Sequence, residues 1–190
     1  VDNPLLISAG PGTGKTRTLT HKMAYTATHK NIGPDAMLAL TFTVKAAEEM
    51  KTRLSALLPH GAPLPYVGTF HGFCQMVLTG RFRQSNHPVP TLIDERTRSL
   101  LVSTALDLAG AKDKKPGGTD DTTLDELVRF IVTAKQHILG PDDDLSQFLR
   151  SGAGSANDFL LSVYRRYQSL LRFQHLVDYE DLIYRTVRLF

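Results

Sequence analysis

Ala9-Gly10-Pro11-Gly12-Thr13-Gly14-Lys15-Thr16 follows directly on the apolar run Leu5-Leu6-Ile7 and precedes a helical pattern. That order decides the reading of the chain. Glycines adopt backbone angles closed to other residues, so successive N–H groups can turn inward and make a concave anion site. A helix starting there points its positive end at the same place. Lys15 is then placed to reach the β- and γ-phosphates of a nucleoside triphosphate, with the Thr16 hydroxyl on a magnesium ion. The bland alternative, a solvated glycine turn, leaves the preceding strand signal and the following helix signal unexplained.

The bulk properties bound the answer. With 190 residues and 42% apolar composition, the chain can build a core for one domain or somewhat more. Twenty-two Lys and Arg against 19 Asp and Glu leave a net charge of +3, which permits a nucleic-acid partner without requiring one. One cysteine, Cys74, excludes an internal disulfide and suits a reducing cytoplasm, the expected location. No apolar stretch approaches the roughly 18 residues of a membrane span, and none resembles a signal segment, so no membrane partner is expected. Both termini fall inside structural patterns, at Val1 and at Val187-Arg188-Leu189-Phe190, which reads as a piece of a longer enzyme.

Periodicity divides the chain. Residues 5–8 read as a short buried strand, and 16–29 as a helix carrying Leu19, Met23 and Tyr25, closed by Asn31, Gly33 and Pro34. Residues 37–42 are a second strand. Thr43 stands at an N-cap position before a helix with Ala46, Ala47, Met50, Leu54 and Leu57 on one side. A turn-rich stretch, 59–65, leads to a third strand at 66–69 and a helix at 71–78. The expected fold class is α/β, with a parallel sheet and right-handed crossovers. Beyond residue 80 the pattern is helical. Asp94 caps a helix to 109 with Leu100, Leu101, Ala105 and Leu108 on its apolar face, and further helices span 123–137, 156–174 and 178–190. Residues 112–122, 140–144 and 151–155 read as mobile loops.

Two segments refine the chemistry. Thr41-Phe42-Thr43-Val44-Lys45 and Gly68-Thr69-Phe70-His71-Gly72 each place hydroxyls and an aromatic where a strand meets a helix. In a parallel sheet, ligands bind beyond the carboxyl ends of the strands, so both segments belong on the face of the phosphate loop. Hydroxyls, backbone N–H groups and Lys45 suit phosphodiesters there, while Phe42 and Phe70 offer flat faces to unstacked bases.

On these residues the chain resembles the N-terminal part of a superfamily 1 DNA helicase of the UvrD/Rep/PcrA group. The phosphate loop, the Thr41–Met50 segment and Gly68-Thr69-Phe70-His71-Gly72 match in order, with a weaker fourth match at Leu176-Val177-Asp178-Tyr179-Glu180-Asp181-Leu182. The resemblance implies ATP and Mg2+ as cofactors, held by Gly10–Thr16 with Arg17 near the nucleotide, and a RecA-like parallel sheet that is partial here. It implies single-stranded DNA contacts from Thr41, Phe42, Lys45, Thr69, Phe70 and His71. Residues 1–80 would be the ATP-binding part and 81–190 an inserted helical subdomain whose last helix leads back to the sheet. Duplex junctions, and repair or replication proteins, are the implied partners, and 3′-to-5′ movement along the strand is the implied polarity. The family's adenine-reading glutamine motif, its Asp-Glu magnesium pair and its second motor domain match nothing in these residues. An isolated chain of this length is therefore expected not to hydrolyse ATP at a useful rate.

Three other readings stand beside this one. They are the helicase subunit of a nuclease-linked recombination enzyme, a small phosphotransferase with a helical lid, and a non-catalytic nucleotide- or DNA-binding module. Several tempting residues take plainer roles. Asp142-Asp143-Asp144 reads as a solvated loop, Asp178 with Asp181 as a helix cap, and Cys74 as core. His71 could equally serve DNA or a helix start. His21 and His29 read as solvated, and Arg81, Arg83, Arg165 and Arg166 as an exposed charged face.

Overall fold

A computed structural model describes residues 4–10, 12–30, 32–110, 123–149 and 154–190. The sequence readings at Pro11, at Asn31 and in most of the loops at 112–122 and 151–155 lie outside the described residues. The architecture is mixed, mostly helical, with two small parallel sheets, and the chain divides into two compact units, Val1–Phe73 and Cys74–Phe190.

The first unit contains α1 (Lys15–His29), β1 (Leu38–Thr41), α2 (Val44–Leu57) and β2 (Tyr66–Thr69), with a single 3-10 turn at Pro34–Ala36. β1 and β2 pair in parallel, Leu38 opposite Tyr66 and Thr41 opposite Thr69. The core gathers Met23 and Ala24 from α1, Ala39 and Val67 from the strands, and Ala47, Met50 and Leu54 from α2. Thr43 caps α2 as its position suggests, its hydroxyl accepting the Ala46 N–H at 3.1 Å. Two expectations fail here. Residues 5–8 join no strand ladder among the described residues, and Leu6 is 91% exposed. An apolar run specifies a preference for burial but not a partner, and β1 and β2 take each other. On α1 the buried side chains are Thr20, Met23 and Ala24, while Leu19 and Tyr25 face outward. The Thr20 hydroxyl bonds back to the Thr16 and Arg17 carbonyls, so it enters the core with its polar group satisfied.

α3 (Phe70–Gln84) begins at the end of the first unit and is longer than its sequence pattern predicts. The second unit continues with β3 (Thr91–Leu92), α4 (Glu95–Leu108), α5 (Leu124–Gln136), α6 (Gly154–Phe173), β4 (Leu176–Val177) and α7 (Tyr179–Val187). Its core joins Leu101, Val102 and Ala105 of α4, Leu127, Ile131 and Ala134 of α5, and Val163, Tyr164, Tyr167 and Leu171 of α6. Leu100 and Leu108, expected on the apolar face of α4, are exposed, and Val102 takes the inward position. Asp94 caps α4 by accepting the Thr97 N–H at 2.8 Å. Thr123 and Glu126 form a reciprocal capping box at the start of α5. The parallel pairing of β3 with β4 is not foreseen by the sequence pattern, because two-residue strands carry no period.

A charged cluster lies beside this core. Lys135 is 1% exposed, and its Nζ stands 2.5 Å from Asp178 and 2.9 Å from Asp181. Asp178 also accepts the Tyr167 hydroxyl at 2.7 Å and the Asp181 N–H at 2.8 Å, so it caps α7 and neutralises Lys135 at once. Arg185 bonds Asp181 at 2.9 Å from the next turn of α7. Burial would raise the Asp178 carboxyl, but the Lys135 charge and the hydrogen bonds from Lys135, Tyr167 and Asp181 hold it below the usual carboxylate value.

A folded-state pKa below the unfolded one contributes stability that is fully present above the unfolded value, about 3.9 for Asp, and is lost as pH falls through the folded value. Urea titrations at pH 6 and pH 3.5 are expected to show the second unit losing stability at the acid end. Asp178→Asn, which keeps the cap but removes the titrating group, is expected to flatten that acid limb while lowering stability at pH 6.

Candidate nucleotide loop and strand-end rim

The loop before α1 is built by glycine conformations. Gly12 and Gly14 have φ of 74° and 89°, in the left-handed region that a side chain disfavours, and Gly14 occupies the N-cap of α1. A Cβ added at Gly12 would meet nothing within 4 Å, so the backbone there is open on its outer side. The Thr13 hydroxyl donates to the Gly10 carbonyl at 2.8 Å and braces the turn. Lys15 folds over the loop, its ammonium donating to the carbonyls of Ala9 at 3.0 Å and Gly10 at 2.8 Å. Thr16 is half-buried and Arg17 exposed in the first turn, which carries no acidic residue. A helix start with no side-chain cap, a lysine beside it and no acid in its first turn has the electrostatics to accept a polyphosphate. For magnesium the fit is partial. Thr16 offers one hydroxyl, and among the described residues no group of three or more His, Cys, Asp and Glu gathers around a possible ion. An ion at Thr16 would take its remaining ligands from phosphates and water.

The second cluster is the carboxyl end of the β1–β2 pair. Register sets Thr41 against Thr69, and the next residue on each strand is a phenylalanine. Phe42 and Phe70 lie with ring centroids 5.5 Å apart at 45°, and they point outward, Phe42 being 90% exposed and Phe70 42%. Lys45 is exposed in the first turn of α2, and His71, half-buried, stands in the first turn of α3 with a partner of its own. Thr41, Phe42, Thr69 and Phe70 are therefore brought together, with Lys45 and His71 on the helix starts behind them. The loop residues Ala9, Gly10, Gly12, Thr13, Gly14, Lys15, Thr16 and Arg17 form the other cluster.

Sequence reading alone did not show two features. Thr69 accepts the Gly72 N–H at 3.0 Å, capping α3 from the strand end, so its oxygen has a structural duty and its O–H proton remains to be donated. Tyr66 folds back along β2, its ring edge-on to Phe73 with centroids 5.7 Å apart, and a Cβ at Gly68 would come within 2.6 Å of its hydroxyl. The signal for the second was an aromatic two residues before a glycine in one strand, where alternation places both on one face.

The other residues weighed from sequence settle into structural roles. Asp142 pairs with Arg165 and Asp143 with Arg188, while Asp144 accepts the Ser146 N–H at 2.9 Å before a 3-10 turn at Ser146–Phe148. Cys74 is buried in α3. His29 stacks on Tyr25 with centroids 4.7 Å apart. Among the described residues no helix is long and apolar enough to cross a membrane.

A glycine turn before an uncapped helix start and a parallel strand pair with its ends level are the features of the first unit. The chain belongs to the UvrD/REP helicase N-terminal domain family, whose profile matches residues 1–190. It is similar to the ATP-dependent DNA helicase PcrA of Bacillus subtilis (strain 168), 34% identical over 192 residues, covering 100% of this chain and 24% of that protein. A PcrA of Staphylococcus epidermidis (strain ATCC 35984) is 33% identical over 196 residues, 100% of this chain and 25% of the relative. A probable DNA helicase II homolog of Mycoplasma capricolum is 30% identical over 192 residues, 100% of this chain and 26% of the relative. The chain thus spans about a quarter of the length of the curated relatives it matches.

The double duty of Thr69 is measurable. Thr69→Ala, which orphans the Gly72 N–H, is expected to lower the stability of the first unit by about 1 kcal/mol, and Thr69→Ser to restore most of it. Lys45→Ala, at an exposed position, is expected to change stability by less than about 0.5 kcal/mol. Chemical unfolding of the three variants checks the ranking.

Proposed function

We propose that this chain is the ATP-binding and strand-gripping part of an ATP-dependent DNA helicase that moves along single-stranded DNA. In this reading Gly10, Gly12, Thr13, Gly14, Lys15 and Thr16 hold the triphosphate and Mg2+, with Ala9 and Pro11 completing the loop and Arg17 beside the nucleotide. Thr41, Lys45, Thr69 and His71 hold the DNA backbone while Phe42 and Phe70 stack bases. The sheet begun by β1 and β2 is part of a RecA-like domain, and the helices beyond residue 80 form an inserted subdomain set against strand or duplex. Polarity is 3′ to 5′, and duplex junctions and repair or replication proteins are the partners, as the family resemblance implies.

The observation that carries the proposal is the exposed Phe42–Phe70 pair at the paired strand ends. Exposed aromatic rings cost solvation, and a base stacked on one contributes about 1–3 kcal/mol without regard to sequence, as a translocating protein requires. The loop supports the nucleotide half of the reading. Lys15 now bonds carbonyls of its own loop, so nucleotide binding must turn its ammonium from Ala9 and Gly10 to phosphate oxygens. Hydrolysis also needs a positioned water and charge stabilisation, which the family resemblance assigns to motifs that match nothing in these residues, so residues 1–190 alone are inferred to turn over ATP at no useful rate.

Fluorescence anisotropy with labelled oligothymidine at 50 and 200 mM salt tests the DNA half. Binding is expected to weaken steeply with salt, and Phe42→Ala to cost roughly tenfold or more in affinity. Lys15→Ala is expected to abolish binding of a fluorescent ATP analogue while sparing the oligonucleotide. No binding to DNA at low salt, with nucleotide binding intact, would favour a phosphotransferase instead.

A further inference from the structure

We infer that α7 is a charge-latched helix, a segment that opens from the second unit as a block while α4, α5 and α6 stay folded. This goes beyond the helicase reading and does not depend on it. The apolar core of the unit is drawn from α4, α5 and α6 with Leu145, and no residue of α7 belongs to it or packs on it as a partly buried hydrophobic. α6 contributes four side chains at 0% exposure, Val163, Tyr164, Tyr167 and Leu171. α7 fully buries one aliphatic residue, Leu182, with Ile183 half-buried, and beside Leu182 lies an open pocket of about 40 Å³ among Leu78, Val89, Leu92 and Val177. Its other buried residues are polar, Asp181 and Thr186.

Charge supplies what apolar packing does not. From α5, Lys135 meets both Asp178 and Asp181. From α6, the Tyr167 hydroxyl donates to Asp178, and Gln168 reaches Asp181 at 3.4 Å. From α4, Arg98 pairs with Glu180 at 2.9 Å with both side chains largely buried. The loop after α5 holds the far end, Asp143 pairing with Arg188. Thr186 adds a hydrogen bond to the Cys74 carbonyl at 3.4 Å. α3, α4, α5, α6 and the loop after α5 therefore each hold α7 or its caps by a polar tie. Such ties are strict about geometry and collapse together when one partner is lost, since the remaining buried charge is then uncompensated. The network is also incompletely satisfied, because among the described residues the buried Gln168 Oε1 has no donor. A helix attached in this way has a closed state with every pair made and an open state that exposes little apolar surface. That is the profile of a local cooperative opening unit.

Hydrogen exchange by mass spectrometry on the 190-residue chain at pH 7 tests the latch. In the wild type, amides of 179–187 are expected to be less protected than those of 101–105, 127–134 and 163–171. Lys135→Met is expected to speed exchange in 179–187 by on the order of 100-fold while the three core segments change by less than about threefold. Adding Asp178→Asn and Asp181→Asn to it, which leaves no unpaired charge at the Lys135 position and keeps the cap, is expected to restore protection. Should Lys135→Met fail to fold, Tyr167→Phe decides, with roughly a tenfold increase expected in 179–187 alone. If α7 and the core segments lose protection in step in either variant, or if α7 keeps its protection in both, the latch is refuted.

Discussion

A lysine ammonium removed from water fixes where α7 seats in the second unit. Lys135 is almost wholly enclosed, and a lone charge in such a place would expel itself or shed its proton. Asp178 and Asp181 prevent that only if α7 starts at the right place, because both carboxylates come from its N-terminal turn. Tyr167 and Gln168 must then face the same point from α6. Apolar side chains would tolerate a slide of one helix on another, with repacking. A charged cluster does not, so it fixes where α7 seats against α5 and α6.

The first unit obeys a different constraint. Its organising contact is the in-register pairing of β1 with β2, which brings two strand ends level. Because each strand runs straight into a helix, one capped by Thr43 and the other by Thr69, the residues just past the sheet are fixed from both sides. The backbone at this edge spends its side-chain oxygens on holding α2 and α3 in place. Phe42 and Lys45, by contrast, contribute little to the unit's core and stand in solvent. They are carried on an edge fixed from both sides rather than on a loop.

What the sequence disclosed follows the range of the interaction involved. Caps at Thr43, Asp94 and Asp178 were legible because each is closed within three residues. β1 and β2 were legible because apolar runs between turn residues and helices leave few alternatives, and the turn before α1 because its glycines permit the positive φ found at Gly12 and Gly14. Partners far away in sequence left no such trace. Leu5-Leu6-Ile7 has the composition of a buried strand, yet composition names no neighbour. β3 and β4 are two residues each, and only the fold aligns Thr91 with Leu176. The Lys135 cluster did leave a clue. Leu127, Ile131 and Lys135 recur at four-residue spacing, so a lysine falls on the inward stripe of α5 and must find acids there. The acids at 178 and 181 were read as a helix cap, which they are, and the cap reading hid the second role.

That overlap separates dispensable polar residues from indispensable ones in this chain. A cap in solvent, such as Asp94, satisfies an N–H that water could otherwise serve, and its loss is a local matter. Asp178 makes the same hydrogen bond in a place water does not reach, and holds a buried cation and a buried hydroxyl with its other oxygen. One oxygen faces the helix start and the other faces the ions, so a neutral amide can replace the first contact but not the second. The start of α7 and the neutrality of the interior are therefore a single constraint.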